Sequence, residues 1–431
     1  MLLRTRRTLS LPSVLLAATL VATLSPQVAS ATSFTHAAVV KDNPVDYTPN
    51  LLDGAGVTNA ATYAILQSGQ TMFIGGAFRT VTNSTRTTTY SRYNVMSFAV
   101  GTGAVQPLAP NFNGEVWGFA ATGTSLYVAG SFTTVNGVVR RGIAKINSIT
   151  GVLDTAFNAN LPSGKVGEVK LVNNRLIIGG TFPKKLAALN PATGADTNYI
   201  NVPITGNLAS NAGALGLYRF SINPAGTRLV AIGNFTTVGG KVRYRAFMLN
   251  LNATNATLNN WDYVPLRRMC LSTAMPEYLR DVDFAPNGQY FVIVATGTVP
   301  AKAAEIGTSI CDAAARFETE VPAPAKPTWI NYTGGDTLHS VAISGTAVYV
   351  QGHQRWLDNP KGYNTAGPGA VSRQGIGAIH PTTGKALPWN PTKEGGIGGK
   401  DLYLSSAGLY VGSDTRYIHD EWRDGIAFMP L

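Results

Sequence analysis

One strand-turn-strand phrase returns about seven times along this 431-residue chain, and that recurrence limits the fold more than any other feature. The stretch from Gly118 to Gly130 aligns without a gap on the stretch from Ser340 to Gly352. Each reads as a strand, a tight turn centred on Gly, and a second strand. The same unit returns around Gly69, Asn173, Gly226 and Gly288, and with a small shift near Gly408. Its second strand ends at Gly76, Gly130, Gly180, Gly233, Ala295, Gly352 and Ser413, in steps of 54, 50, 53, 62, 57 and 61 residues. After that anchor comes x-F-x-x-V, at Phe78 to Val81, Phe132 to Val135 and Phe235 to Val238. A third strand follows, as in Ile143 to Asn147, Leu186 to Asn190, Ala246 to Asn250 and Ile376 to Ile379. It ends in a turn such as Thr150-Gly151, Thr193-Gly194 or Thr383-Gly384. A short fourth strand is expected to carry an aromatic: Phe112, Phe157, Trp261, Trp329 or Trp389.

Four short strands per unit, a period above 40 residues and about seven units predict an all-β fold, a seven-bladed β-propeller of four-stranded antiparallel blades. One such sheet cannot bury both faces alone. Stacking the sheets around an axis covers each face with a neighbour, and small residues at the anchors let backbones approach closely. Apolar residues at 45% and charged residues at only 13% agree with strands covered on both faces, and they exclude intrinsic disorder. Two sandwich domains are the competing architecture, but they would not need one repeat running from residue 60 to the end. The last unit stops at its third strand, Gly425 to Phe428. The segment Val45 to Asn50 resembles Leu387 to Pro391, a fourth-strand segment. The N-terminal strand, about residues 45–52, is therefore expected to complete the last blade and close the ring.

Residues 1–31 read as a secretory signal peptide. Arg4, Arg6 and Arg7 precede an interrupted apolar run from Leu11 to Leu24, and Ala29-Ser30-Ala31 offers a cleavage site. That run is too short and broken for a membrane anchor, and no second stretch reaches spanning length. The mature chain, residues 32–431, is expected to be a single domain, secreted and associated with the cell surface or wall. Losing the leader leaves 31 basic residues against 23 acidic ones, a charge of +8. That charge suits an anionic neighbour such as teichoic acid or an acidic glycan. Cys270 and Cys311 are the only cysteines. They cannot make an all-cysteine zinc site, and outside the cytoplasm they are expected to form a disulfide across the unit-five loop.

The repeats carry a family resemblance. Ile74 to Phe78, Ile178 to Phe182 and Val128 to Gly137, with Arg141 to Asn147, Thr150 to Asp154 and Phe157, resemble the delta-60 repeat. This repeat builds uncharacterised β-propellers common in secreted actinobacterial proteins. The resemblance weakens in unit five, where Ala295-Thr296-Gly297 replaces the G-x-F element, and in units six and seven, where Gln354 and Thr415 stand in place of Phe. It implies an extracellular propeller of unknown activity and supplies no catalytic residues.

Unit six is the most unusual. Its hairpin puts His339 nearly opposite His353, where other units carry the aromatics Trp117, Tyr63 or Phe220. Asp336, His339, His353, Arg355 and Trp356 form the candidate ligand-binding set. His and Asp could act as acid and base, and Arg with Trp could hold a sugar or carboxylate. Packing within the blade edge is the alternative reading of the same residues. No third ligand accompanies the histidines, Asp281-x-Asp283 and Asp312 match no calcium loop, and no metal or cofactor is expected. No G-x-S-x-G, P-loop or H-E-x-x-H occurs, and no catalytic residue can be assigned. The fourth-strand aromatics recur once per unit, as structural positions do. No basic run suggests nucleic acid. The expectation is a monomeric binding or scaffold module whose partner is a cell-wall polymer, a glycan or another surface protein. An extracellular polysaccharide hydrolase or lyase using the unit-six cluster, and a purely structural surface protein, are the alternatives.

Overall fold

A computed structural model describes residues 1, 34–208, 213–271, 279–396 and 398–431, so the leader reading lies almost wholly outside the described residues. The regular structure among the described residues is nearly all strand, with two short 3-10 helices, Val264–Arg267 and Ala303–Glu305. No helix among the described residues is long and apolar enough to cross a membrane.

The repeat becomes seven antiparallel sheets, each led by a hairpin. Their first strands are Ala61–Ser68, Val116–Thr122, Val166–Val172, Gly216–Ile222, Leu279–Phe284, Leu338–Ile343 and Asp401–Ser405. Each pairs with the second strand, which pairs in turn with the third. Each first strand packs on the first strand of the next sheet, and Asp401–Ser405 packs on Ala61–Ser68. Seven apolar cores lie between consecutive sheets rather than within them. The one joining the last sheet to the first holds Tyr410, Ile426 and Phe428 against Ile65, Met72 and Ile74. Burial of about 25 cal/mol per Å² of apolar surface thus depends on every neighbour being present.

The anchor glycines have a steric cause. A Cβ on Gly130 would collide with the carbonyl oxygen of Glu115, and one on Gly352 with that of Thr337. Phe78, Phe132 and Phe235 of the recurring x-F-x-x-V are all buried, and so is Phe182, although Lys185 stands where the pattern has Val.

The fourth strands differ from expectation. Among the described residues only units four and five carry one, Ala256–Leu258 and Trp329–Tyr332. In four other units it shrinks to a single bridge: Phe98–Val105, Ile146–Leu153, Leu189–Asp196 and Ile379–Ala386. In two of these an Asx turn bends the chain away at once. Asp154 accepts the Ala156 N–H, and Asp196 accepts the Asn198 N–H. Phe112, Phe157 and Trp389 lie beyond the bridge and pack edge-on against Phe132, Tyr127 and Tyr349. Trp261, beyond the unit-four strand, packs against Phe291.

The N-terminal segment also differs in extent. Its regular strand, Asn50–Leu52, pairs with Thr80–Thr82 of unit one. The preceding stretch lies on the last sheet: Lys41 N–H donates to Pro430 O, Val45 N–H to Phe428 O, and the Thr48 hydroxyl to Ile426 O. Pro44 and Pro49 lack N–H donors, which interrupts a continuous ladder. Cys270 and Cys311 form the disulfide, with Cα atoms 5.8 Å apart.

Candidate functional site

In units one to six the register of the first strand shifts once, beside the anchor of the second strand. Each shift leaves one extra residue on the first strand: Tyr63, Trp117, Gly167, Tyr218, Arg280 and His339. A bulge of this kind re-aims a side chain. Unit seven pairs without a shift from Asp401, and Lys400 precedes it at the matching place. All seven of these residues line one cavity of about 410 Å³ at the centre of the ring. The mouth is therefore built by one residue from each unit. Tyr63, Trp117 and Tyr218 form an aromatic side, and Arg280, His339 and Lys400 a basic side on consecutive units.

The unit-four member is Tyr218, not the expected Phe220, which is buried in the core between units three and four. The unit-four hairpin has a longer turn, so counting back six residues from Gly226, as from Gly123 to Trp117, stops two residues short of Tyr218. Ile222 pairs with Leu229 there, whereas Thr122 pairs with Ser125 in unit two.

Charged residues deepen the channel. Glu168, Lys170, Arg219, Asp281, Asp283 and Asp401 line a second cavity, also about 410 Å³. Three carboxylates here serve backbone N–H groups of the neighbouring first strand. Asp281 accepts from Val341 at 3.0 Å, Asp283 from Ile343 at 3.1 Å and Asp401 from Ile65 at 2.7 Å. The inner edge of a sheet has no strand partner, and these carboxylates supply acceptors to the edges of units six and one. Burial pushes Asp281 and Asp283 up to about 7 and Asp401 to about 6. The D-x-D pair singled out in the sequence is thus an inward-facing strand alternation. Among the described residues no group of three His, Cys, Asp or Glu is placed to hold a metal ion.

The unit-six set divides. His339 stands in the mouth, and its ring centroid is 5.8 Å from that of exposed His353. Burial lowers the His353 pKa, and the nearby Arg280 and Lys400 add to that against Asp336. Asp336 is buried and holds Arg355: both oxygens accept from the guanidinium at 3.0 and 2.9 Å, and one also accepts the Arg355 N–H at 3.0 Å. Arg355 lies 4.4 Å over the Trp356 ring. Asp336 is thereby committed to fixing the segment, while Arg355 and Trp356 form a stacked pair on the surface. Asp312, also buried, is pushed up to about 7 mainly by burial. Sequence reasoning missed Arg280 and Lys400. The signal that finds them is their position in the repeat: both match His339 when anchors are aligned.

Comparison with known proteins supports the fold. A family model described as a domain of unknown function (DUF5122) beta-propeller matches residues 125–157. With the all-β sheets, it makes this chain a β-propeller domain. Among solved structures the chain is similar to the computationally designed Ika8 protein, with TM-score 0.44 and 10% identity, covering 89% of this chain and 100% of that one. It is also similar to the hydrazine synthase of Kuenenia stuttgartiensis, with TM-score 0.47 and 13% identity, covering 84% and 95%. No curated relative matches the chain.

Proposed function

We propose that this chain is an exported seven-bladed propeller of the delta-60 type, acting as a binding or scaffold module at the bacterial cell surface. Its leader, residues 1–31, is removed, and residues 32–431 form one monomeric domain whose last blade is completed by the segment around 41–48. The ligand sits at the channel mouth beside Asp336, His339, His353, Arg355 and Trp356. The observation that carries this reading is the mouth itself: seven equivalent positions converge on one cavity, yet their side chains differ from unit to unit. Packing does not fix these side chains, so they are free to be shaped by a ligand.

Two further facts support the localisation and closure. A disulfide suits an oxidising compartment. Arg423 donates to Val45 O just as Arg373 of unit six donates to Leu387 O, which supports a fourth-strand role for the N-terminal segment in unit seven. The test is retention of purified protein by cell-wall fractions and by a glycan array. Retention that is lost on replacing mouth residues is expected. No retention by any surface fraction would overturn the reading.

A further inference from the structure

The ring of bulge positions is sorted by chemistry. Tyr63, Trp117 and Tyr218 come from units one, two and four, with side-chain-free Gly167 between the last two. Arg280, His339 and Lys400 come from units five, six and seven and occupy the opposite arc. Lys165 and Arg219 add two more cations to the same cavity, and among the described residues Glu115 is the only acid lining it. Glu115 is engaged: it accepts the Trp117 indole N–H at 2.9 Å. Lys165 lies 5.4 Å over the Trp117 ring.

The electrostatics have a direction along the axis. Burial lowers the Lys400 pKa, and Arg280 and Arg219 lower it further, against Asp414 and Glu115. Placing a negative charge at the mouth would relieve this crowding of cations. One layer deeper the balance shifts toward acids, with Glu168, Asp281, Asp283 and Asp401 against Lys170 and Arg219. An anion is drawn to the mouth and held from passing down the channel.

Resting on the binding-module reading above, we propose that the mouth receives an acidic glycan, a sugar bearing a carboxylate or a phosphate. The sugar face lies against Tyr63, Trp117 and Tyr218, and the anionic group faces Arg280, His339 and Lys400. A cavity of about 410 Å³ has room for one or two sugar rings. The aromatic arc supplies apolar faces, and the basic arc supplies charge-assisted hydrogen bonds. Neutral sugars gain only from the first arc, so the charge sets the specificity.

The experiment titrates the purified full chain with three probes, followed by tryptophan fluorescence and calorimetry. Trigalacturonate offers carboxylates, glucose 6-phosphate offers a phosphate, and maltotriose is neutral. At least one anionic probe is expected to bind at least about tenfold more tightly than maltotriose, and to weaken as salt rises. Which one binds identifies the anion. Lys400→Met and Trp117→Ala are each expected to weaken it about tenfold, while Lys302→Glu, on an exposed loop, leaves it unchanged. Thermal melting confirms that the variants fold. If neither anionic probe binds, or Lys400→Met binds as well as the parent, the proposal is overturned. Maltotriose binding that equals the anions and is lost in Trp117→Ala would overturn it too, while leaving the binding-module reading standing. Failure of that broader reading is seen separately, as loss of all retention on cell-wall fractions.

Discussion

Ring closure can be tested by coupling two distant parts of the chain. The perturbations are Arg423→Ala and a truncation that begins at Pro49. Buried Arg423 donates Nε–H to Val45 O at 2.7 Å, an Nη–H to Asp46 Oδ1 at 2.7 Å, and another to Trp422 O at 2.6 Å. Asp46 has an almost fully exposed side chain, so its ion pair adds little. The Trp422 bond is local and survives truncation. The Val45 bond does not. A hydrogen bond from a charged donor contributes about 1.5–3 kcal/mol. Arg423→Ala should therefore cost about 2 kcal/mol more in the full chain than in the truncated one. For a domain of this size the melting entropy is roughly 0.8 kcal/mol/K, so the coupling is a difference of about 2–3 °C in Tm. Arg373→Ala is the control: its partner Leu387 remains in both backgrounds, and its cost should be the same in each to about 0.5 kcal/mol. Calorimetry on the four combinations reads the cycle. Additive costs for Arg423 and the truncation would refute the reasoning, because they would mean the two parts stabilise the fold independently.

The remaining predictions concern the disulfide, the channel acids and the unit-six clamp. Replacing both Cys270 and Cys311 by Ser frees a 41-residue loop, worth about 4 kcal/mol of chain entropy, and should lower Tm by about 5 °C in calorimetry. Asp281, Asp283 and Asp401 have pKa values raised by folding, so the folded state binds more protons than the unfolded one between about pH 4 and 7. Their contribution is fully present below pH 4 and is lost as pH rises through 7; Asp283→Asn should gain Tm relative to the parent from pH 4.5 to 8, and a pH-independent difference would contradict this. Asp336→Ala should lower Tm by a few degrees by releasing Arg355 and its segment, whereas the His339→Ala/His353→Ala double variant should melt within about 1 °C of the parent. If that double variant abolishes turnover of some polysaccharide with its fold intact, the module is an enzyme instead.

The parts of this fold that could be read in advance are those that backbone sterics repeat. In units one to four and in unit six a carbonyl at the start of the first strand presses on the second-strand anchor, so Gly76, Gly130, Gly180, Gly233 and Gly352 recur. The buried Phe recurs in units one to four, where it fills four of the seven inter-sheet cores. Features that vary with turn length were harder to see. Counting from the hairpin glycine works for Trp117 and His339, and it fails for Tyr218 because the unit-four turn is longer. The fourth strand looked regular because its aromatic recurs, yet Phe157 and Trp261 mark where the chain re-enters the core after an Asx turn, whereas Trp329 lies within a paired strand. A recurring buried arginine was also overlooked. Arg92, Arg140, Arg243, Arg373 and Arg423 each lie shortly before the third strand and donate to carbonyls of the segment that returns alongside it. Their charges suggested surface, but each guanidinium is spent on backbone acceptors that no strand partner satisfies.

This last point bears on how such a ring acquires function. The cores between sheets and the pinning arginines fix the frame, so the inward positions are released from packing duty. At the bulge a residue leaves the strand alternation altogether, and its side chain contributes to neither core. Substitution there costs little stability, which is why seven equivalent sites can hold Tyr, Trp, Gly, Tyr, Arg, His and Lys. One layer down, Asp281, Asp283 and Asp401 are not released, because they cap the strand edges that face the axis. Recognition in this fold is therefore written in one ring of positions, and the chemistry of that ring can change while the sheets around it stay the same.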